Sequence, residues 1–298
     1  MSEKMFTLPV VRQLHPCVSL RSLDGIPVVV VEHPRARAAV SLQGAQLLLW
    51  QPDGAEPVLW LGDAAPWTPG KAIRGGVPIC WPWFGGAGSP AHGFARTSTW
   101  QLDAHEEGPE GVSLALTLRD SARTRELWPH AFTLTTRIGI GRECSVDVEA
   151  HGDHDSTAAL HTYLRVGDLD GVQLSGLGGE FVDKLRDDAR FPSDGTLVPT
   201  GHFDRIYAEP SGISRVVDHR FERAVEVRHR HHSDVVVWNP GPELSHSMAD
   251  LGDESYREFV CVETARVSRP MATAPDAPSH LAMRLRVDGL HAAAPIPS

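Results

Sequence analysis

Four segments carry residue types that could move a proton or hold a small anion. Glu263 closes the apolar run Phe259-Val260-Cys261-Val262-Glu263 and, at strand periodicity, shares a face with Phe259 and Cys261. An inward carboxylate is costly unless paired or neutralised, and such groups often have raised pKa values and serve as acid or base. The alternative is a place at the strand mouth, with an ion pair to Arg266. His161, in Ala158-Ala159-Leu160-His161-Thr162-Tyr163, shares a face with Tyr163. It reads as a proton donor or, more commonly for any one strand histidine, as a core residue satisfied by a backbone carbonyl.

Arg74 precedes Gly75-Gly76-Val77-Pro78-Ile79-Cys80-Trp81-Pro82-Trp83-Phe84-Gly85. Paired glycines let backbone approach a ligand closely, and Trp81, Trp83 and Phe84 offer flat apolar surface for a sugar. The guanidinium is a rigid fork suited to phosphate or carboxylate. A Gly/Pro-rich surface loop with packed tryptophans is the competing reading. His92-Gly93-Phe94-Ala95-Arg96 could bring a second guanidinium to the same anion, although most isolated arginines are solvated or pair with a surface carboxylate.

Two histidine runs, His229-Arg230-His231-His232 and His151-Gly152-Asp153-His154-Asp155, have metal-compatible types. A metal site needs a third convergent ligand and a supporting shell, and both runs fall at expected hairpin ends, so solvated loops are expected there. The run 253–258 is expected to be a solvated surface segment.

The elements that must position these residues are strands. Val18 to Leu20, Val28 to Val31, Ala38 to Leu42 and Leu47 to Trp50 alternate or are β-branched, with Asp24-Gly25 and Asp53-Gly54 as turn signals. Further strands are predicted at Val112 to Leu118, Phe132 to Ile140, Cys144 to Ala150, Thr157 to Val166 and Val172 to Leu174. The series continues at Asp204 to Tyr207, Ala224 to Arg228, Val235 to Trp238, Phe259 to Glu263 and Leu281 to Val287. No apolar period of 3.6 lasts three turns, and the one short helix expected is Ser245 to Leu251, after Pro240-Gly241-Pro242. Dense strands with 27 Gly and 23 Pro between them predict an all-β sandwich. No linker or repeat divides the 298 residues, so one domain is expected, with a core at about 25–287 and a loose Ala/Pro-rich tail at 291–298.

A net charge of −10 argues against nucleic acid or an anionic membrane as partner, so any anion site must be a local cluster of cations. The N-terminus lacks a secretory pattern, apolar stretches are too short to span a bilayer, and the four cysteines are scattered. Free thiols in the cytoplasm are the expectation.

Together the segments resemble the hexose-6-phosphate mutarotases, or glucose-6-phosphate 1-epimerases, of the aldose 1-epimerase (galactose mutarotase-like) superfamily. The carrying pieces are Ile73-Arg74-Gly75-Gly76-Val77-Pro78 with its Trp-Pro-Trp-Phe-Gly, His92-Gly93-Phe94-Ala95-Arg96 and Leu160-His161-Thr162-Tyr163. Phe203-Asp204-Arg205-Ile206-Tyr207, Val237-Trp238-Asn239-Pro240, Met248-Ala249-Asp250-Leu251-Gly252-Asp253 and Cys261-Val262-Glu263 complete the series. The resemblance implies a supersandwich of two large twisted antiparallel sheets with few short helices and a concave active site. It implies His161 and Glu263 as the catalytic pair, and Arg74, Arg96, Asp204 and His92 as substrate-binding residues. It implies a hexose phosphate as the small-molecule partner, no cofactor and no metal; a monomer or weak homodimer is expected. Ala91 stands where the family usually has Gln, so one hydrogen bond to substrate is missing or replaced. Arg266 also departs from the small or amide residue expected after the catalytic Glu, and either reaches the site or answers surface charge.

The implied reaction is ring opening and reclosure by acid and base, with Glu263 as base and His161 as acid. Two other readings remain: a mutarotase for unphosphorylated aldoses, and a non-catalytic sugar-binding module, which has no need of an acid/base pair. A glycoside hydrolase is disfavoured because no second carboxylate has a context comparable to that of Glu263.

Overall fold

The computed structural model describes residues 2–62 and 67–290, and the expected tail at 291–298 lies outside the described residues. Alternating, β-branched segments pair into three antiparallel sheets. Val18–Leu23, Ile26–His33, Ala36–Ser41 and Gln46–Pro52 form a meander, with Val10–His15 on its outer edge. Its first inner turn uses Asp24 at φ 52° and Gly25 at φ 83°, the left-handed pair that a two-residue hairpin requires.

The two large sheets pack behind this meander. One has nine strands, in the order Thr196–Leu197, Val172–Ser175, Ile213–Asp218, Arg223–Arg230, Ser279–Gly289, Cys144–Gly152, Phe132–Gly141, Gly111–Arg119 and Gln101–Gly108. The other has eight, running Ala189–Pro192, Glu180–Asp183, Phe203–Ala208, Asp234–Asn239, Phe259–Thr273, His154–Leu160 and Ile79–Cys80, with Tyr163–Arg165 also on Phe259–Thr273. Val112, Leu114, Leu116 and Leu118 turn inward along their strand, as the alternation predicts. One apolar cluster draws on all three sheets, with Val40 and Trp50, Leu134 and Val146, Val237 and Val262 among its members. Trp50 Nε1 donates to the Gly141 carbonyl at 3.0 Å, tying the meander to the nine-stranded sheet.

The differences from the expected elements have local causes. Val10–His15 and Gln101–Gly108 are edge strands with mostly exposed side chains, so they carry no inward alternation to read. The helix expected over Ser245 to Leu251 instead spans Gly241–Ser247. Pro242 sits in its first turn, where a missing N–H costs nothing, and the backbone becomes extended at Met248. Short helices also occur at Ser2–Thr7 and Ala122–Leu127, the latter capped reciprocally by Ser121 and Thr124.

His229 and His154, expected in solvated hairpin ends, are buried. His229 lies inside a strand that runs to Arg230, and its ring bonds the Thr264 hydroxyl at 2.7 Å and the Ser214 hydroxyl at 3.0 Å. Among the described residues, no group of three or more His, Cys, Asp or Glu is arranged to hold a metal ion, and no helix is long and apolar enough to cross a membrane. All four cysteines are free, and Cys80, Cys144 and Cys261 are buried.

Candidate functional site

The strand expected over Thr157 to Val166 is interrupted at the residue of interest. His154–Leu160 and Tyr163–Arg165 both pair with Phe259–Thr273, but His161 and Thr162 lie between them. There the His161 N–H turns to the Pro78 carbonyl at 3.0 Å, and the Tyr163 N–H to that of Gly76 at 2.9 Å. Register continues across the gap: Leu160 faces Thr264 and Tyr163 faces Cys261, which puts His161 opposite Glu263. Cross-strand partners share a sheet face. On the other side of Phe259–Thr273, Glu263 pairs with Val236 and Cys261 with Trp238; one strand further, Val236 pairs with Ile206 and Trp238 with Asp204. Two adjacent rows therefore cross the sheet, one ending in the His161–Glu263 pair and one carrying Asp204.

These rows floor a cavity of about 720 Å³. His161, Glu263, Arg74, Arg96, His92 and Asp204, all singled out in the sequence, line it together. A depression of similar volume at the hairpin tips is lined by Glu106, Glu107, Glu110 and Glu143 and brings no acid/base pair together.

His161 Nε2 and Glu263 Oε1 are 3.4 Å apart, with the side chains 8% and 1% exposed. His161 Nδ1 and Glu263 Oε2 are buried without a hydrogen-bond partner. Burial pushes the His161 imidazole well below its usual range, helped by His92, Arg96 and Arg74. Burial pushes Glu263 well above the carboxylate range; Asp204 adds to this and Arg96 opposes it. The Tyr163 ring lies over His161 at 4.8 Å and 14°, fixing the imidazole plane.

The cations differ in how fully they are engaged. Arg74 donates Nε–H to Asp250 Oδ2 at 3.0 Å, with Nη2 in ion-pair contact with the same oxygen at 2.8 Å, and donates from Nη1 to the Tyr163 hydroxyl at 3.1 Å. Arg96 gives only Nη2, to the Ala91 carbonyl at 2.9 Å, and its Nε is buried and unpartnered. His92, at φ 63°, is held down to a pKa of about 4 by burial and by Arg96 and Arg74, so its ring is neutral at physiological pH. Asp204 is pushed up to about 6, mainly by burial, against the pull of Lys184.

Several expectations are corrected here. The glycine pair serves the fold: a Cβ on Gly75 would sit 2.6 Å from Leu61 Cα, and one on Gly76 2.3 Å from the Leu47 carbonyl oxygen. Trp81 is buried, bonding Ser156 at 3.0 Å, and Trp83 bonds the Pro90 carbonyl at 2.8 Å; neither lines the cavity. The aromatic lining comes from Phe84 and Trp238. Arg266 neither pairs with Glu263 nor reaches the cavity; it binds the carbonyls of His231, Arg269 and Pro270. A second carboxylate does share the cavity with Glu263: Asp204, which the resemblance implied as a substrate-binding residue. Lys184 and Val267 also line the cavity without having been named, as does Met248, which entered only as part of a motif. Strand pairing gathers the two carboxylates, and no local motif signals it.

Comparison with known proteins finds relatives along almost the whole chain. The chain is 47% identical over 291 residues, 96% of its own length and 99% of the other's, to an Escherichia coli K12 protein named provisionally as a glucose-6-phosphate 1-epimerase. The crystal structure of a provisionally assigned mutarotase, YeaD of Salmonella typhimurium, superposes with a TM-score of 0.95 at 46% identity, covering 97% of this chain and 99% of that one. The galactose 1-epimerase of Lactobacillus acidophilus, at 13% identity, shares the fold with a TM-score of 0.65 over 94% of this chain and 98% of its own. Residues 27–286 match the aldose 1-epimerase family, an interval that holds every cavity residue named above, and the chain belongs to that family.

Proposed function

We propose that this enzyme interconverts the α and β anomers of a hexose 6-phosphate, glucose 6-phosphate first among them, with His161 and Glu263 as the acid/base pair. Membership of an epimerase family supplies the reaction type, and the names of the close relatives point to the phosphorylated sugar. The observation that carries the assignment of residues is the 3.4 Å contact between two buried groups that can share a proton, each keeping one unpartnered polar atom.

Burial disfavours net charge, and the pair satisfies this by holding one proton. Neutral imidazole with a protonated carboxyl, and imidazolium with carboxylate, are two arrangements of that same proton, and both are net neutral. In the second, Glu263 accepts the proton of the anomeric hydroxyl while His161 donates to the ring oxygen. The C1–O5 bond breaks to the open-chain aldehyde, rotation about C1–C2 presents the other face, and reclosure reverses the two roles. Since the imidazole is shifted down and the carboxyl up, the pH interval of the one-proton form is widened at both ends, and activity is expected to fall beyond its two limits.

The phosphate assignment leans on Arg96, whose guanidinium has most of its donors free, with Arg74 beside it. Asp204 and neutral His92 are left for sugar hydroxyls, and Trp238 and Phe84 for the apolar face of the ring. A second reading, action on unphosphorylated aldoses, draws on Asp250, which already answers the charge of Arg74. Magnetisation-exchange NMR on equilibrated glucose 6-phosphate and on glucose decides between them. Exchange of the phosphorylated sugar at least tenfold faster per enzyme is expected; equal rates would exclude the phosphate assignment.

A further inference from the structure

We propose that Asp250 is a positioning residue that holds the guanidinium of Arg74 in the orientation used to bind the substrate phosphate. The inference deepens the hexose-phosphate reading and rests on it. Arg74, 23% exposed, lines the cavity, and Asp250, 41% exposed, is its ion-pair partner from outside the lining. One carboxylate oxygen of Asp250 accepts the Nε–H of the fork and stands in ion-pair contact with Nη2, and the Tyr163 hydroxyl accepts from Nη1 on the other side. Two of the five N–H groups of the guanidinium are thereby hydrogen-bonded, partners on two edges fix its plane, and the remaining donors are left for a ligand.

Asp250 is itself held. It lies on the segment after the helix Gly241–Ser247, between Met248, which lines the cavity, and Leu251, which packs with Trp60, Tyr163 and Phe259. The Leu251 N–H returns to the Met248 carbonyl at 3.1 Å, and the Ser245 hydroxyl donates to the Gly252 carbonyl at 3.0 Å. From the other direction, the Arg74 carbonyl accepts the Gly62 N–H at 3.0 Å, so its backbone is fixed as well. A long flexible side chain pays rotamer entropy to hold a ligand, and an anchored fork has already lost it. Arg96, with a single hydrogen bond to Ala91, has no such clamp. The two arginines therefore divide the work: Arg96 contributes most of the unanswered charge, and Arg74 contributes direction. Tyr163 links that direction to the reacting pair, because the ring whose hydroxyl meets Arg74 also lies over His161.

The test uses the full-length protein as wild type, Asp250→Ala and Asp250→Asn, the last keeping an acceptor oxygen without the charge. Two quantities are read: kcat and KM for anomerisation of glucose 6-phosphate and of glucose, and hydrogen exchange of the Arg74 Nε–H by NMR in the ligand-free enzyme. Asp250→Ala is expected to raise KM for glucose 6-phosphate about tenfold with kcat within about threefold, and to move KM for glucose by less than threefold. Asp250→Asn should recover most of that loss. The Arg74 Nε–H should be protected in the wild type and lose protection in Asp250→Ala. Unchanged protection, a lowered KM for the phosphate, or equal losses on both sugars would each overturn the proposal. If the wild type instead handles glucose as well as glucose 6-phosphate, the phosphate reading fails and takes the specificity role with it. The exchange measurement then judges the clamp alone.

Discussion

His161 and His229 lie against opposite faces of the same strand, Phe259–Thr273. His161 stands across from Glu263 on the cavity face; His229 meets the next residue, Thr264, on the face packed against the nine-stranded sheet. Both rings are buried, and burial pushes both pKa values down. Their partners separate them. Both nitrogens of His229 are bonded to hydroxyls, whereas His161 has one nitrogen unpartnered and the other beside a carboxylate held above its usual range. A satisfied ring joins two sheets, and an unsatisfied ring facing a proton reservoir can do chemistry. An orphaned nitrogen alone is not enough. Neither ring nitrogen of His154 has a hydrogen-bond partner, yet that ring lies among Trp81, Trp128 and His130 and makes no ion pair among the described residues.

The sharpest way to break the comparison is to remove each half of the cavity pair. Glu263→Gln and His161→Ala should each slow anomerisation by about 10²–10⁴-fold while the protein stays folded by circular dichroism. His229→Gln should leave kcat within a few-fold and lower the unfolding midpoint. A His229 variant that stays folded yet loses activity as His161→Ala does would erase the distinction.

The second expected effect is on stability against pH. His229 has a folded pKa of about 3, pushed there first by burial and then by His232, against about 6.5 when unfolded. Its contribution is fully present above pH 6.5 and is lost as pH falls towards 3, amounting to at most about 4–5 kcal/mol. Denaturant unfolding should therefore show the wild type losing its advantage over His229→Gln between pH 6.5 and 4. A constant difference would mean that the ring is not held neutral.

Asp204, on the cavity face, has the opposite sign. Its folded carboxyl is pushed up to about 6, so it favours folding below about pH 4 and that contribution is lost as pH rises through 6. Asp204→Asn should match the wild type near pH 4 and gain up to about 3 kcal/mol of relative stability above pH 6, while its activity falls. Denaturation at pH 4 and 8 checks the sign; greater stability of the wild type at pH 8 would contradict it.

Strands with one buried face were legible because alternation records burial, as at Val112, Leu114, Leu116 and Leu118. Edge strands such as Gln101–Gly108 were not, since a strand exposed along most of its length has no face to alternate. Within the site, His161 and Glu263 stood out as polar groups in apolar strands, but their opposition depends on register across about a hundred residues of chain, which no local pattern encodes. Gly75 and Gly76 misled for a related reason: a glycine pair signals close approach without saying to what, and here the neighbours are Leu61 and Leu47. Lys184 and Trp238 came into the site through sheet pairing and loop packing of the same kind, whereas Asp204 was reached through the family resemblance.

The smallest expected effect asks whether the cavity's unpartnered atoms mark ligand contacts in general. Arg96 keeps its Nε buried and unbonded beside the proton-sharing pair, as His161 and Glu263 keep theirs. If that atom awaits an anion, Arg96→Ala should raise KM for glucose 6-phosphate roughly tenfold, matching one lost charge-assisted hydrogen bond, and barely touch glucose. Arg96→Lys should recover only part, since an ammonium cannot reproduce the fork. A larger fall in kcat than in substrate affinity would carry a different meaning. Arg96 also depresses the His161 pKa and steadies the ionised form of Glu263, so its loss would then be acting on the proton and not on the phosphate. The pH profile separates the two: removing a phosphate contact leaves its limbs in place, whereas removing a charge beside the pair shifts both limbs upward.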